Sequence, residues 1–328
     1  MSQVRVGVIG VGALGRHHVR LYQQCPSAHL VGIYDTSAER AAEVADEFDT
    51  TPFEQLETLV SSCDALNVAV PTDRHHPVVK DLLQKGKHVL VEKPIAPNVS
   101  AAEELVDLAT RRDVVFGVGH VERYNPVLEC IEKVPGEPRF LEAYRLAKYP
   151  PPREGSLPRG TEVSVVHDLM IHDVDILLSL VKQPVSRLEA VGVPVLSETI
   201  DIANARITFE NGCVANLTAS RVSSETLRKI RLFKSQAYLS LDYGAQQGEM
   251  AKVQDGSIRR EKVPVDPRNA LQEELEDFCT CILKKKMNNE SAQPRVTGHA
   301  GLEALKVVDR ITGQINEQRD TCSSAYIA

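Results

Sequence analysis

An apolar stretch at residues 163–178, VSVVHDLMIHDVDILL, carries an unusual density of ionisable side chains. On an α-helix of about 3.6 residues per turn, Asp168, His172 and Asp175 fall on one edge. Asp173 falls on the far side and is predicted to be structural. Burying carboxylates and imidazoles without partners is costly. The polar edge is therefore predicted to face a wet cavity, a metal ion or a tight hydrogen-bond network.

Each of these environments implies a different role for the edge. A buried His–Asp network would be purely structural. The i, i+4, i+7 spacing could also present metal ligands, but no other His or Cys motif offers an obvious fourth, and we predict no bound metal. Acid–base chemistry is the third role: His172 suits a general base because the ordinary pKa of imidazole is about 6.5. Asp168 could orient His172 or hold a substrate hydroxyl. A nucleotide-type loop elsewhere in the chain favours this role.

That loop follows an apolar, β-branched run at Val4–Ile9 and precedes a helical pattern, RHHVRLYQQC. Its letters, GVGALG, have the G-x-G-x-x-G spacing that lets a pyrophosphate approach the backbone at the N-terminus of a helix. The residues predicted to hold the pyrophosphate are Gly10, Val11, Gly12, Ala13, Leu14 and Gly15. A dinucleotide cofactor is therefore expected.

The second strand, HLVGIYD, ends at Asp35, about twenty residues beyond Gly15, where an acid can accept hydrogen bonds from both hydroxyls of an adenosine ribose. A carboxylate there would repel a 2′-phosphate. NAD is therefore predicted in preference to NADP. Arg40 lies close enough in sequence to weaken that preference.

Strands and helices alternate up to about residue 119, which predicts a doubly wound parallel sheet with helices on both faces. Ligands of such sheets lie beyond the carboxyl ends of the strands. Segments that follow the third and fourth strands are therefore predicted to face the cofactor: Val70, Pro71, Thr72, His75, Glu92 and Lys93. A solvated loop histidine is an equally good interpretation of His75. Glu92 could have a structural role instead of contacting the nicotinamide ribose.

The pattern changes beyond Gly119 to strands of period two, with a hairpin signal at Asn211-Gly212. We predict a Rossmann domain at residues 1–120. An α/β domain with an open, largely antiparallel sheet is predicted at residues 121–328, with helices around ALQEELEDFCTCILKK and GHAGLEALKVVDRIT.

Composition excludes several classes of partner. The net charge of -7 and the absence of Trp argue against a nucleic-acid-binding protein. No apolar run approaches the roughly 20 residues that cross a bilayer, and no signal peptide is recognisable at the N-terminus. Seven scattered cysteines suit a reducing compartment. We expect a cytoplasmic enzyme with a small-molecule substrate.

The chain resembles the glucose-fructose oxidoreductase, inositol dehydrogenase and rhizopine-catabolism (Gfo/Idh/MocA) family along essentially its whole length. The motifs that carry the resemblance are, in order, VGVIGVGALGRHH, VAVPTDRHH, VEKP, GHVERYNP, D-x-x-x-H-x-x-D at 168–175, and PRVTGHAGLEAL. The resemblance implies a Rossmann domain bound to NAD or NADP and a second domain whose open sheet covers the nicotinamide. It also implies a homodimer or homotetramer.

The same resemblance assigns roles to three residues. Lys93 matches the catalytic lysine of the family's E-K-P motif, and the Lys-Pro bond that follows is frequently cis in such proteins. Asp168 and His172 match the D-x-G-x-H motif of family sugar dehydrogenases, with Met170 in place of the glycine. A dehydrogenase needs a base for the carbinol proton and a cation near the oxygen. Either Lys93 or His172 could take the proton.

Within the family, GHVERYNP and PRGTEVSVVHDLMIHDVDILLSLV most resemble members that oxidise C3 of UDP-N-acetylglucosamine to a 3-keto sugar nucleotide used for lipid A. Arg123 and Asn125 begin the second domain and are candidate substrate contacts, although an interdomain salt bridge explains Arg123 equally well. The arginines that could hold a diphosphate are Arg145, Arg153 and Arg159. The alternatives are an inositol or other polyol or aldose dehydrogenase, an NAD-dependent glycosidase, and a non-catalytic NAD-binding regulator.

Overall fold

The computed structural model describes residues 3–151, 158, 160–254, 256–288 and 292–325. The chain forms two compact units. The first contains Met1–Tyr124 and Asn269–Glu303, and the second contains Asn125–Arg268 and Ala304–Ala328.

The first unit contains a parallel sheet of five strands in the order β2-β1-β3-β4-β5. The strands are β1 (Val4–Ile9), β2 (Ala28–Tyr34), β3 (Ala65–Val68), β4 (His88–Glu92) and β5 (Phe116–Gly119). The Rossmann prediction is confirmed. Because every strand of this sheet is parallel, the carboxyl ends of β1, β2, β3 and β4 meet at one edge.

The second unit contains an eight-stranded sheet in the order β13-β12-β11-β10-β6-β9-β8-β7. Its strands are β6 (Pro138–Leu146), β7 (Val185–Val193), β8 (Ile202–Phe209), β9 (Val214–Ser220), β10 (Leu227–Lys234), β11 (Ala237–Asp242), β12 (Gln247–Gln254) and β13 (Ser257–Val263). Neighbouring strands are antiparallel except for β6 and β9. The prediction of a largely antiparallel sheet is therefore confirmed.

The helices follow the predicted alternation in the first half of the chain. The α-helices along the whole of the described chain are α1 (Ala13–Tyr22), α2 (Ala38–Glu47), α3 (Leu56–Ser62), α4 (Thr72–Gln84), α5 (Val99–Arg112), α6 (Glu129–Glu132), α7 (Ile171–Val181), α8 (Ala270–Asn288) and α9 (Gly298–Ala325). A π-helical turn, Val166–Met170, leads directly into α7. The hairpin predicted at Asn211-Gly212 joins β8 to β9, and Gly212 adopts a φ of 79°, which glycine tolerates at no steric cost.

The two units differ from the expected division at residue 120. The segment Asn269–Glu303, expected in the second domain, belongs to the first unit. The physical reason is the apolar face of α8, whose Leu275, Phe278 and Ile282 are fully buried in the core of the parallel sheet. Local patterning predicted this helix but carried no information about which core it would enter.

The core of the second unit lies on one face of its sheet. Along β8, Ala203, Ala205 and Ile207 are buried, while the residues between them are not. This period of two is the pattern of a sheet with one covered face. Val174 of α7 and Val308 of α9 complete the same apolar cluster.

Within the part of the chain that the structure describes, no helix has the length and apolar character needed to span a membrane.

Candidate active site

The glycine loop lies between β1 and α1 and makes a tight turn beside the N-terminus of the helix. Gly10 has a φ of 85°, and a Cβ added at Gly15 would lie 1.9 Å from the carbonyl oxygen of Gly10. A Cβ at Gly12 would meet no heavy atom within 4 Å. Two glycines are thus needed for the turn, and the third leaves open space beside the N-terminus of α1. The space and the first-turn N–H groups fit a phosphate ligand.

Asp35 immediately follows β2 and is tied to the glycine loop. One carboxylate oxygen accepts the backbone N–H of Val11 at 2.9 Å, and the other accepts that of Ser37 at 2.9 Å. The guanidinium of Arg40 lies 3.2 Å from the carboxylate, and its side chain is 51% exposed. The acid and the cation named in the sequence therefore form an ion pair, in which the Asp35 side chain is 6% exposed.

His75 is not a solvated loop residue: it lies in α4 and is 1% exposed. Its Nδ1 is 2.8 Å from the carbonyl oxygen of Pro94, and its Nε2 is 2.9 Å from that of Val70. A neutral imidazole donates through only one nitrogen. Burial lowers the pKa of His75, although both carbonyls favour the charged ring. The ring therefore lies between Val70, which follows β3, and Pro94, which follows β4, and donates to one of their two carbonyls when it is neutral.

Glu92 ends β4 and is paired within the first unit. Its Oε1 lies 2.8 Å from Nε2 of His18, and its Oε2 accepts the backbone N–H of Lys93 at 3.2 Å. Burial alone would raise the pKa of Glu92, but His18 and Lys93 hold it below its ordinary value. The Lys93–Pro94 bond is cis, as the resemblance implied. Lys93 itself is partly exposed at the carboxyl edge of the parallel sheet.

In the second unit, Asp168 lies in the π-helical turn and His172 lies at the start of α7, and both side chains are partly exposed. Asp175 is 2% exposed. Asp168 and His172 are therefore the accessible members of the predicted polar edge, while Asp175, three residues after His172 in α7, is its buried member. π-Helical turns recur at functional sites, because the inserted residue changes which side chains share a face. A regular period of 3.6 does not include that insertion, which lies between Asp168 and the rest of the polar edge.

Asp173 and Arg145 form a buried ion pair between α7 and β6. Nε and one terminal nitrogen of Arg145 donate to the two carboxylate oxygens at 2.8 and 3.0 Å, and the side chains are 4% and 3% exposed. The structural role predicted for Asp173 follows directly. The diphosphate role suggested for Arg145 is wrong, because its guanidinium is committed inside the second unit.

The other candidate substrate residues have local partners or lie outside the described residues. Arg123 donates to the carbonyl of Arg295 at 3.4 Å. Asn125 is 4% exposed, donates to the carbonyl of Tyr243 at 3.1 Å and accepts the N–H of Val127 at 3.3 Å. Both ends of its amide thus stabilise the loop after the first unit. Arg153 and Arg159 lie outside the described residues.

Gly160 was missed by the sequence reasoning. It adopts a φ of 82°, and a Cβ added there would lie 2.8 Å from Oδ2 of Asp168. The only available signal was the Pro-Arg-Gly-Thr segment, which indicates a turn without showing which side chain the turn touches. The backbone at Gly160 thus forms one wall of the Asp168 carboxylate's environment.

The structure places the predicted site residues in two groups. The glycine loop, Asp35, His75, Glu92 and Lys93 belong to the first unit, while Asp168 and His172 belong to the second. Among the described residues, no three His, Cys, Asp or Glu side chains cluster in a way that could hold a metal ion. The chemistry available is that of a dinucleotide-type loop, an ammonium group, an imidazole and a carboxylate.

Comparisons with known proteins agree with these features. Residues 4–120 match the Gfo/Idh/MocA oxidoreductase family with an NAD-binding Rossmann fold, and residues 132–240 match the Gfo/Idh/MocA C-terminal domain. The chain is 37% identical over 291 residues to the UDP-N-acetylglucosamine 3-dehydrogenase of Acidithiobacillus ferrooxidans, covering 86% of this chain and 90% of that protein.

A solved structure of that enzyme superposes with a TM-score of 0.88 at 35% identity, covering 96% of this chain and 98% of the other. A scyllo-inositol 2-dehydrogenase of Bacillus subtilis is more distant, at 27% identity over 238 residues, 67% of this chain and 68% of that protein. With both domain matches in sequence order and a relative similar along most of its length, the chain belongs to the Gfo/Idh/MocA family of oxidoreductases.

Proposed function

We propose that the protein catalyses the NAD-dependent oxidation of the C3 hydroxyl of UDP-N-acetylglucosamine to the 3-keto sugar nucleotide. The observation that carries this proposal is the 37% identity to a UDP-N-acetylglucosamine 3-dehydrogenase across 86% of the chain. The inositol dehydrogenase is less similar and matches less of the chain, at 27% identity and 67% coverage. A sugar nucleotide is therefore favoured over a free polyol.

The cofactor residues of the proposal are those predicted from the sequence. The glycine loop would hold the pyrophosphate, with Val70, Pro71, Thr72 and Glu92 toward the remainder of the dinucleotide. Asp35 would accept hydrogen bonds from the adenosine ribose, which supports NAD over NADP. When bound, NAD would supply a hydride acceptor for the carbinol carbon.

The chain's own residues supply the proton chemistry of the proposal. His172 removes the proton of the C3 hydroxyl as general base, and Asp168 orients the imidazole or holds a neighbouring hydroxyl. The ammonium group of Lys93 stabilises negative charge on the oxygen and is the second candidate for the proton. Arg123 and Arg159 remain candidate substrate contacts, whereas Asn125 would act through the loop it stabilises.

A turnover assay tests the substrate. The purified protein is incubated with NAD and UDP-N-acetylglucosamine, N-acetylglucosamine or an inositol, and NADH is followed by its absorbance. We expect NADH with the sugar nucleotide and at least about tenfold lower kcat/KM with the free sugars. NADH formation only with an inositol would reject the proposal. Release of UDP without net NADH would indicate a glycosidase instead.

Variants test the assigned groups. Lys93→Met, His172→Gln and Asp168→Asn should each lower kcat by at least about 100-fold, the scale of general acid–base and electrostatic contributions. Binding of NAD by calorimetry should persist in all of them. Lys85→Met and His29→Gln alter exposed residues of the first unit and serve as matched controls. Full activity in the three site variants would reject the roles assigned to these residues. NAD binding without turnover in the wild type would favour the non-catalytic regulator.

We further propose a cytoplasmic homodimer or homotetramer whose product enters lipid A synthesis. The family resemblance supports assembly, as do two exposed apolar side chains of β7, Val191 at 55% and Val193 at 53%. Exposed apolar patches favour association. Sedimentation velocity should give twice or four times the monomer mass, and a monomer at micromolar concentration would contradict this.

A further inference from the structure

The ion pair between Asp201 and Arg221 lies outside the predicted site and contacts the segment that precedes the π-helical turn. Asp201 is 0% exposed and Arg221 is 3% exposed, and Nε of Arg221 donates to Oδ1 of Asp201 at 2.8 Å. A buried ion pair is weak evidence for stability, because desolvation offsets most of the Coulombic gain. The remaining hydrogen bonds of the guanidinium show what the pair holds.

Arg221 binds the backbone of two separate loops. One terminal nitrogen donates to the carbonyl of Val163 at 2.7 Å and also to that of Gly160. The other donates to the carbonyl of Ile200 at 3.2 Å and to the hydroxyl of Thr199. Arg221 uses two separate terminal nitrogens for the two loops, whereas a lysine would offer a single ammonium nitrogen without the planar fork.

Asp201 anchors the second of these loops. Its Oδ2 accepts the backbone N–H groups of Val195, Leu196 and Ser197 at 2.7, 2.6 and 2.9 Å, which stabilises the loop as a tight turn around the carboxylate. Its other oxygen accepts the Ser197 hydroxyl at 2.7 Å. Asp201 thus fixes the backbone of residues 195–201, and this loop is called the platform below.

The platform contacts the segment that leads to Asp168. The hydroxyl of Thr199 lies 2.9 Å from the carbonyl oxygen of Thr161, and the N–H of Val165 donates to the carbonyl of Ile200 at 2.9 Å. At the start of the same segment, a Cβ added to Gly160 would lie 2.8 Å from Oδ2 of Asp168. The chain of contacts thus runs from Arg221 to the carboxylate of a proposed site residue.

We infer that Arg221, held by Asp201, is a positioning residue that fixes the Gly160–Val163 turn against the carboxylate of Asp168. The inference rests on the proposed function, in which Asp168 and His172 act on the substrate. Displacing the turn would let the carboxylate rotate away from its productive orientation. A shift of about 1 Å at such a group costs on the order of 100-fold in rate.

Three variants test the positioning role. Thr199→Val removes one hydroxyl from the platform and should fold. Arg221→Lys keeps the charge but replaces the forked guanidinium by a single donor nitrogen. Gly160→Ala places a methyl group beside Asp168. Each should lower kcat at least about tenfold, with the KM for NAD changed less than about twofold.

Thr218→Val is the matched control. Thr218 lies in β9 of the second unit, and its hydroxyl accepts one side-chain hydrogen bond, from Asn204 at 2.9 Å. It should retain wild-type kcat. The acid limb of the kcat/KM pH profile should move in Thr199→Val in the same direction as in Asp168→Asn, and remain unmoved in Thr218→Val. A purely structural role for Arg221 would not move that limb.

The outcomes separate the two proposals. If Asp168→Asn and His172→Gln retain activity, the proposed function fails. If those two lose activity while Thr199→Val keeps wild-type kcat and pH profile, the positioning inference is overturned. Thermal unfolding is measured for every variant, and if Arg221→Lys does not fold, Thr199→Val and Gly160→Ala decide the outcome.

Discussion

At the scale of single residues, Asp35 and His75 each contact backbone groups from more than one segment of the first unit. Asp35 joins the glycine loop, the start of α2 and Arg40 through one carboxylate. His75 joins two loops through one imidazole. Such residues position backbone that a cofactor would contact, so their substitution should alter ligand preference or loop geometry more than global stability.

Asp35 and Arg40 are expected to set cofactor preference in opposite directions. Asp35→Ser removes an acceptor for the ribose hydroxyls and releases Arg40 for a 2′-phosphate. The ratio of kcat/KM for NAD to that for NADP should fall at least about tenfold, on the scale of lost charge-assisted hydrogen bonds. Arg40→Ala should raise the ratio. Steady-state kinetics with both cofactors measures this, and a shift of both variants in the same direction would contradict the assignment.

At the scale of elements, two polar contacts tie neighbouring elements together, one partly buried and one buried, and each can be tested separately. His88 begins β4, and its Nδ1 accepts the N–H of Val115 just before β5 at 2.9 Å. Arg145 of β6 pairs with Asp173 of α7. The first contact requires a neutral ring, and the second requires two charges.

The His88 contact predicts a pH dependence of stability. Burial, aided by the charges of Lys286 and Lys285, lowers the pKa of His88 to about 4. An unfolded histidine, with a pKa of about 6.5, binds a proton first as the pH falls. Protonation therefore favours the unfolded chain, and stability is lost as the pH falls from about 6.5 to 4. The loss by pH 4.5 is at most about 2.5 kcal/mol.

His88→Asn tests this dependence, because the amide oxygen can still accept the Val115 N–H but does not titrate. The free energy of unfolding is measured in urea at pH 7 and pH 4.5. The wild type should lose about 2 kcal/mol more than the variant over this interval. Equal losses in the two proteins would show that the ring is protonated in the folded state.

The Arg145–Asp173 pair predicts a large effect of removing one partner. Arg145→Met leaves a buried carboxylate without its cation, which should lower the free energy of unfolding by about 3–5 kcal/mol. The double variant Arg145→Met, Asp173→Leu should recover much of that loss. Urea titration measures both. A raised KM for the sugar nucleotide in a fully stable Arg145→Met protein would instead restore the diphosphate role.

At the scale of the whole molecule, the two compact units are not two consecutive halves of the chain. The chain passes between them after Tyr124, after Arg268 and after Glu303. The first unit therefore depends on α8, which begins at Ala270, far along the chain from the end of the parallel sheet at Gly119. A fragment ending at residue 124 would expose the apolar surface that α8 covers in the described structure.

Phe278 tests this dependence, since it is fully buried in the core of the parallel sheet. Phe278→Ala should destabilise the first unit by about 3–5 kcal/mol, the usual cost of a large buried truncation. Hydrogen exchange followed by mass spectrometry should show faster exchange in β1 and α1. Met287→Ala, on the same helix and 67% exposed, is the control. Unchanged protection of β1 in Phe278→Ala would reject the assignment of α8 to this core.

The sequence by itself determined the parts of this protein that are encoded locally. Hydrophobic period, glycine spacing and the acid after the second strand predicted the parallel sheet, the phosphate loop at Gly10–Gly15 and the position of Asp35, because each depends on residues close together in the chain. The motif order then identified the family, and the resemblance predicts Lys93, Asp168 and His172 as its site residues.

Only the tertiary structure decided which distant groups meet. The π-helical insertion before α7, the burial of Asp175, the pairing of Arg145 with Asp173 and the assignment of α8 to the first unit all depend on long-range packing. So does the contact of Gly160 with Asp168. A local pattern specifies the face that a residue occupies, whereas the partner that covers this face is set by packing between segments far apart in sequence.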